Sequence, residues 1–172
     1  QKYCKKHNVK FNHILDIGAW VGTWSMAMNQ YCGRVVAFEP ESLHYECLVK
    51  NVSEDIETHQ LAVGAEEKMI SLSQDDFTQS KRVLGEGTIP MVTIDSLQLD
   101  DVDMIKIDVE GYEMEVLKGA SKTLEHVQYL MIELNNNTKK YGSTNTEIEK
   151  HISSLGFKVL IEHWPDKVFY RA

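Results

Sequence analysis

Short apolar runs alternate along the chain with segments in which apolar residues recur every three or four positions. Runs of about four to eight apolar residues are typical of buried strands, whereas the longer spacing is typical of amphipathic helices. Their alternation predicts an α/β domain with a parallel sheet. Strands are predicted at 13–17, 34–39, 56–63, 103–109, 128–134, 157–162 and 167–171, and helices at 21–32, 42–52, 112–118 and 145–155.

The alternation breaks between the third and fourth of these strands. Two further strand-like segments, 68–74 and 88–95, flank a polar stretch. They predict a hairpin-like insertion over 66–96, whose polar connector is either a substrate lid or a plain linker. Near the end of the chain, the tripeptide WPD is typical of a tight turn, so the last two strands are expected to run antiparallel.

Together these elements predict one domain over 1–172, with an N-terminal tail at 1–12. The predicted fold is a doubly wound, Rossmann-like sheet of seven strands, mostly parallel, with an antiparallel last strand and the hairpin insertion between strands 3 and 4. Sheets of this kind bind ligands outside the carboxyl ends of their strands, at the point where the strand order reverses. Polar motifs that follow strands are therefore the candidates for chemistry.

Composition narrows the range of partners. The chain has 18 basic and 26 acidic residues, which gives a formal net charge of −8. Nucleic acids and anionic membranes bind proteins that carry clustered positive charge. The basic residues of this chain are scattered, so neither is an expected partner. The densest basic group lies in the predicted tail and is expected to be solvated: Lys2, Lys5, Lys6 and Lys10.

Two further features bear on the location of the protein. No run of about 18 apolar residues is present, and the charged first residues have no apolar core behind them, so neither a membrane span nor a signal peptide is expected. The three cysteines, Cys4, Cys32 and Cys47, form no C-x-x-C pair. An odd number of cysteines in such a chain indicates free thiols in a reducing compartment, which predicts a cytoplasmic location.

The stretch LDIGAWVGTWS joins the first predicted strand to the first predicted helix. Gly18 and Gly22 would let a ligand approach the backbone where the amides of a helix start are free. Glu39 lies about 20 positions beyond Gly18, at the end of the second strand, where an acid suits the hydroxyl groups of a ribose. Dinucleotides and S-adenosylmethionine both fit this pattern.

The spacing of the glycines separates these two cofactors. A pyrophosphate site needs G-x-G-x-x-G, and aligning Gly18 with its first glycine places Trp20 and Thr23 at the other two. The indole would occupy the space of the pyrophosphate, and Asp16 would repel it. S-adenosylmethionine has no phosphate, and its sulfonium is cationic, so a nearby carboxylate is favourable. The pattern therefore favours S-adenosylmethionine over NAD. The alternative, a strand–helix turn with no ligand, is disfavoured because Glu39 lies at the right distance on the second strand.

A second polar motif, MIKIDVEGYEMEVLKGA, covers the fourth strand and the helix after it. Lys106 and Asp108 share one face of that strand, because side chains two positions apart point the same way. An unpaired ammonium in a central strand is costly, so Lys106 is expected to pair with a carboxylate, and Glu133 on the neighbouring strand is the candidate. A purely structural ion pair is the alternative. Glu113 and Glu115 are expected on a solvated helix face.

Several motifs together resemble one enzyme family. In order, LDIGAWVG, VVAFEPES, IPMVTIDSL, DMIKIDVEGYEMEVLKGA and MIEL resemble the FkbM-type methyltransferases over residues 14–134. The most specific part is K-I-D-x-E-G-x-E. The resemblance implies a class I S-adenosylmethionine-dependent enzyme, typically an O-methyltransferase acting on sugar, polyketide or glycolipid hydroxyls. The chain departs from the family at Trp20, where a small polar residue is usual.

The same resemblance implies which residues hold the cofactor. Asp16, Gly18 and Gly22 would line its methionine end, Glu39 would hold the ribose, Leu61 and Ala62 would border the adenine, and Ala19, Trp20, Thr23, Pro40 and Asp108 complete the cofactor-binding set.

The implied reaction is an in-line displacement at a methyl group, so alignment and the exclusion of water supply much of the catalysis. A hydroxyl acceptor must also lose its proton. Asp108 is the predicted residue that accepts or orients that proton, with Lys106 fixing its carboxylate and Glu110 near the acceptor. The expected acceptor is a small molecule, sugar or glycan, and the expected cofactor product is S-adenosylhomocysteine.

Two alternatives stay open. No metal is expected, but Asp108 and Glu133, with Asn135 or Asn136, would supply oxygen ligands for Mg²⁺ as in catechol-type O-methyltransferases. A module that binds S-adenosylmethionine or another nucleoside without catalysis fits the same motifs. A nucleic-acid amino methyltransferase is disfavoured, because DVEG stands where a proline-proline-aromatic motif is usual.

Overall fold

A computed structural model describes residues 1–73 and 83–172, apart from the side chain of Asn136. Its strands are β1 (Phe11–Ile17), β2 (Cys32–Phe38), β3 (Ile56–His59), β4 (Ala62–Val63), β5 (Lys68–Ile70), β6 (Ile89–Val92), β7 (Val102–Ile107), β8 (Tyr129–Glu133), β9 (Lys158–His163) and β10 (Asp166–Tyr170). Its helices are α1 (Lys2–His7), α2 (Thr23–Asn29), α3 (Ser42–Asn51), α4 (Glu113–Lys118) and α5 (Asn145–Ser154), and 3-10 turns cover Asp95–Leu97, Thr123–Glu125 and Asn136–Tyr141.

Seven of these strands form one sheet in the order β3-β2-β1-β7-β8-β10-β9. The pairs among β3, β2, β1, β7 and β8 are parallel, whereas β10 runs antiparallel to both of its neighbours. The predicted doubly wound, mostly parallel sheet with an antiparallel last strand is confirmed. The strand order reverses between β1 and β7, which is where such sheets bind ligands.

Helices cover both faces of this sheet. On one face, Met28 of α2 and Leu48 of α3 pack in one apolar cluster with Val35 of β2. On the other face, Leu117 of α4 and Ile148 of α5 belong to a second apolar cluster with the facing residues of the central strands. Because both faces are covered, the central strands are near-continuous apolar runs rather than alternating ones.

The insertion after β3 forms a second, smaller sheet. β5 and β6 pair antiparallel, as the predicted hairpin requires, and β6 also pairs in parallel with β4. The single predicted strand at 56–63 is therefore wrong. Its first half, β3, pairs with β2 in the main sheet, while its last two residues pair with Met91 and Val92. Residues 74–82, which include most of the predicted lid or linker, lie outside the described residues.

The N-terminal segment is not the predicted tail. Residues 1–12 contain α1 and the first residues of β1, and both Cys4 and Phe11 are buried. They belong to the same apolar cluster as Met28 of α2, so an apolar contact anchors this segment. The lysines of the segment are exposed, as predicted.

Two observations bear on the expectations about location. Across the described ranges, no helix combines the length and the apolar character that crossing a bilayer requires. Cys4, Cys32 and Cys47 are all free thiols. Burial raises the pKa of Cys32, which disfavours the reactive thiolate there.

Candidate functional site

A cleft that is open to solvent lies at the carboxyl ends of β1, β2 and β7, where the strand order reverses. The cleft brings together eight residues of the predicted site: Gly18, Trp20, Glu39, Pro40, Leu61, Ala62, Asp108 and Glu110.

Gly18 joins the two strand ends that meet at the reversal. Its φ is +79°, and a Cβ built on it would lie 1.9 Å from the backbone oxygen of Asp108, so no larger residue fits. The Gly18 N–H donates to Phe38 O at 3.0 Å, and the Asp108 N–H donates to Ile17 O at 3.0 Å. The loop after β1 therefore lies directly on the backbone of the residue that follows β7.

Apart from Trp20, the rest of the first loop turns away from the cleft. Gly22 precedes α2 with a φ of +86°, and a Cβ there would lie 2.6 Å from Val52 and 2.8 Å from Leu48. Gly22 thus allows the start of α2 to pack against α3. Ala19 is buried, and Thr23 is exposed. Contrary to the expected set, Ala19, Gly22 and Thr23 do not line the cleft, because the chain turns there to begin α2.

The register of the central strands determines the partners of Lys106. Asp16 of β1 lies directly opposite Lys106 of β7, whereas the residue opposite Lys106 on β8 is Met131. Lys106 Nζ lies 3.1 Å from Asp16 Oδ1 and 3.3 Å from Asp108 Oδ2. The predicted pairing of Lys106 with Glu133 is therefore wrong, since Glu133 lies two positions farther along β8.

Asp16 does not line the cleft but lies in the core next to it. Its side chain is fully buried, and Ser25 Oγ donates to its Oδ2 at 2.5 Å. Lys106 Nζ also donates to Gly18 O at 2.8 Å. Burial would lower the pKa of Lys106, but the carboxylates of Asp16 and Asp108 outweigh burial and raise that pKa. The Lys106 ammonium therefore links β1, the first loop and Asp108.

Glu39 follows β2, is buried and lines the cleft. Its Oε2 accepts the Trp20 N–H and its Oε1 accepts the Glu41 N–H, both at 2.9 Å. Each carboxylate oxygen has two lone pairs, so each can accept one further hydrogen bond. Glu39 is thus fixed by the backbone and keeps the capacity to accept from two hydroxyl groups.

Trp20 lines the cleft beside Glu39. It has a φ of +51° and is 36% exposed. Its indole meets the His44 ring edge-on, with 6.3 Å between the ring centroids, and His44 Nδ1 lies 3.7 Å from Glu39 Oε1. Trp20 and His44 therefore both border the part of the cleft that contains the Glu39 carboxylate.

The insertion after β3 contributes a wall that the sequence motifs do not indicate. Leu72 and Val83, which form an isolated β-bridge, line the cleft together with Tyr112. The Tyr112 and Tyr141 rings meet edge-on at 5.0 Å, and Tyr141 Oη donates to Val83 O at 3.3 Å. Because these residues come from distant parts of the chain, no local spacing connects them.

Three carboxylates converge on the side of the cleft away from Glu39. Asp108, Glu110 and Glu133 each place an oxygen within 4.8 Å of the other two. The Asn135 amide donates to Glu110 Oε2 at 3.2 Å and to Glu133 Oε2 at 3.0 Å. Burial and then the charge of Asp108 raise the pKa of Glu133 to about 8. The cluster has the chemistry to hold either a shared proton or a divalent cation.

Glu113, the first residue of α4, is fully buried, so the predicted solvated position is wrong for this residue. Its Oε1 accepts the Gly111 N–H at 2.8 Å. Burial raises the pKa of Glu113 to about 7. The side chain bonds the turn before the helix, whereas Glu115 stays partly exposed and pairs with Lys118.

The free energy of unfolding is expected to fall as the pH rises from about 4.5 to about 7, because the Glu113 carboxyl loses its proton near 4.5 in the unfolded chain and near 7 in the folded one. The folded state therefore binds this proton more tightly. The penalty is absent below pH 4.5 and complete above pH 7, where it reaches about 3 kcal/mol. Urea unfolding between pH 4.5 and 8 measures it. Glu113→Gln should reduce the slope and the control Glu115→Gln should keep it; equal slopes would contradict the assignment.

Comparison with known proteins establishes the family of the chain. The strand order and the position of the cleft are those of a Rossmann-like α/β protein that binds its ligand at the reversal of the sheet. The family model described as the methyltransferase FkbM domain matches residues 12–159. The chain belongs to the FkbM methyltransferase family.

Individual relatives are distant. Hexuronic acid methyltransferase AglP from Haloferax volcanii is 26% identical over 132 residues, which cover 70% of this chain and 55% of AglP. The crystal structure of Methyltransferase FkbM from Methylobacillus flagellatus has a TM-score of 0.67 at 20% identity, over 93% of this chain and 43% of that one. Magnesium protoporphyrin IX methyltransferase from Synechocystis, solved with bound S-adenosylmethionine, has a TM-score of 0.60 at 12% identity, over 98% and 74% of the two chains. The chain thus spans about half the length of AglP.

Proposed function

We propose that this chain is an S-adenosylmethionine-dependent O-methyltransferase that methylates a hydroxyl group of a small molecule, sugar or glycan. The observation that carries the proposal is the close approach of Gly18 to Asp108, which puts Glu39 and the three-carboxylate cluster in one cleft. Glu39 can accept from the hydroxyls of a ribose, and the carboxylates can stabilise a cationic sulfur and accept a proton. Membership in the FkbM family supports methyl transfer.

The cofactor would lie across the reversal of the sheet. Its ribose hydroxyls would donate to the two lone pairs that Glu39 keeps available. Its adenine would contact the apolar wall that includes Leu61 and Ala62. Its sulfonium would lie toward Asp108, because a positive charge is stabilised beside a carboxylate. Asp16, which was expected to line the methionine end of the cofactor, would instead contribute indirectly, through Lys106.

S-adenosylmethionine supplies a methyl group on a positively charged sulfur. The Asp108 side chain is 36% exposed, so a hydroxyl entering the cleft can reach it. We expect the Asp108 carboxylate to accept the proton of that hydroxyl, while the Lys106 ammonium at 3.3 Å keeps the carboxylate in place. Glu110, whose Oε2 accepts from the amides of Asn135 and Asn137, would orient the acceptor.

Asp108→Asn should slow methylation about tenfold or more and leave the affinity for S-adenosylhomocysteine nearly intact, because an amide keeps the shape but accepts a proton poorly. Initial rates would be measured with glucuronic acid first in a panel of sugar acids and alcohols, since AglP is a hexuronic acid methyltransferase. Asp101→Asn, an exposed aspartate outside the cleft, is the control. Unchanged turnover in Asp108→Asn would remove Asp108 from this role.

Calorimetric titration with S-adenosylhomocysteine and with NADH tests the cofactor assignment. The first should bind and the second should not, because Trp20 stands where a pyrophosphate site needs its second glycine. The fluorescence of Trp20 should change on binding, and Trp20→Phe should lose most of that change. Trp164, which is 76% exposed and outside the cleft, is the matched control, so Trp164→Phe should keep it. Binding of NADH without S-adenosylhomocysteine would overturn the proposal.

Two other outcomes would assign a different function. Binding of S-adenosylhomocysteine with no methylation across the acceptor panel would favour a non-catalytic binding module. The convergence of Asp108, Glu110 and Glu133 favours a Mg²⁺-dependent O-methyltransferase as a second candidate, with Asn135 beside them. Loss of activity in EDTA that Mg²⁺ restores would establish the metal-dependent enzyme.

A further inference from the structure

We propose that Glu113 is a positioning residue that holds Glu110 at the acceptor side of the cleft, acting through the backbone of the turn between them. The inference rests on the proposed function, in which Glu110 orients the acceptor. It assigns a task to a buried acid that the methyl-transfer chemistry itself does not use.

The turn that carries Glu110 has an unusual backbone. Glu110 has a φ of +56° and Gly111 a φ of +110°. A glutamate rarely adopts such a value, and it does so where its surroundings hold it there. Gly111 packs on Asn137, whose backbone oxygen would lie 2.6 Å from an added Cβ. The position of Glu110 therefore depends on contacts that hold this turn.

Glu113 supplies one of these contacts from inside the protein. Its side chain is fully buried, and its Oε1 accepts the Gly111 N–H at 2.8 Å. The Gly111 N–H, directly after Glu110, opposes the rise that burial causes in the pKa of Glu113. The Glu113 carboxyl thus holds the backbone directly after Glu110.

The side chain of Glu110 is held separately. Its Oε2 accepts from the Asn135 amide at 3.2 Å and from the Asn137 amide at 2.8 Å. With the backbone bonded to Glu113 and the carboxylate bonded to the two amides, Glu110 keeps its place in the three-carboxylate cluster. Without Glu113, the amides hold the end of the side chain but not the turn, so the carboxylate moves.

The test uses the side-chain amide of Asn137, which donates to Glu110 Oε2 at 2.8 Å and therefore reports where that carboxylate lies. The ¹H and ¹⁵N chemical shifts of this amide are measured by NMR at one fixed pH on ¹⁵N-labelled protein. Glu110→Gln gives the full shift expected when the charged acceptor is removed.

Glu113→Ala should produce at least half of the shift that Glu110→Gln produces. Glu113→Gln should produce a smaller shift, because its amide oxygen can still accept the Gly111 N–H. Glu115→Ala, on the same helix and paired with Lys118 at the surface, should produce none. Amide exchange at Gly111 should quicken in Glu113→Ala and not in the control.

A folded Glu113→Ala variant with the wild-type Asn137 amide signals would overturn the proposal, and so would a Glu110→Gln variant that leaves those signals unchanged. If Glu113→Ala does not fold, Glu113→Gln decides in the same way. Failure of the proposed function looks different, because it appears as wild-type protein that does not bind S-adenosylhomocysteine. Failure of this inference appears as unchanged Asn137 amide signals in variants that bind it normally.

Discussion

Lys106→Met is expected to lower the free energy of unfolding by about 3–5 kcal/mol, because it leaves a buried charge without its counterion. Asp16 is fully buried, and Lys106 Nζ lies 3.1 Å from its Oδ1. After the substitution, the carboxylate keeps the hydroxyl of Ser25 but has no cation in contact among the described residues. Urea unfolding followed by circular dichroism measures the loss.

Two variants test whether the buried pair causes this loss. Lys118→Met is the matched control, because Lys118 is exposed and its pair with Glu115 lies at the surface, where such pairs contribute about 0–1 kcal/mol. Adding Asp16→Asn to Lys106→Met should restore part of the stability, since the buried charge is then absent. A loss in Lys106→Met no larger than that of the control would contradict this account.

Gly18→Ala is expected to weaken the binding of S-adenosylhomocysteine at least about tenfold, which corresponds to about 1.4 kcal/mol of binding free energy. The added Cβ would lie 1.9 Å from the backbone oxygen of Asp108, at a φ of +79° that alanine disfavours. The two strand ends must therefore move apart, which separates Glu39 from the carboxylate cluster.

Calorimetry on the folded variant measures this change in affinity. Gly85→Ala is the control, because a Cβ at Gly85 would meet nothing within 4 Å. Its affinity should equal that of the wild type. An affinity in Gly18→Ala close to that of Gly85→Ala would show that the contact between the first loop and Asp108 does not shape the cleft.

The main sheet could be predicted from the sequence because its central strands are buried on both faces and are therefore near-continuous apolar runs. The segment 56–63 shows the limit of that signal. Its apolar residues are buried, but some pack in the main sheet and others in the small one. Apolar character indicates burial and does not say which neighbour a residue packs against.

The site could be predicted in outline, since the ends of parallel strands meet at one edge of the sheet and polar residues there come together. Which charged residues of the site pair with one another could not be predicted. Whether Lys106 meets Asp16 or Glu133 depends on the register between strands, which no local pattern records. The burial of Glu113 could not be predicted for a related reason. Its partner is the backbone N–H of a turn, and a backbone group does not show in the sequence of side chains.

The small sheet shapes one wall of the cleft, whereas the main sheet holds the residues at the strand ends in place. Gln60 and Leu61 join β3 to β4, and the Tyr141 hydroxyl donates to Val83 O in the hairpin. Exchanging this hairpin between homologues would change the shape of one wall and keep the pairing of the seven main strands intact. Selectivity for different substrates can therefore change during evolution while the cleft residues at the ends of the main strands stay in place.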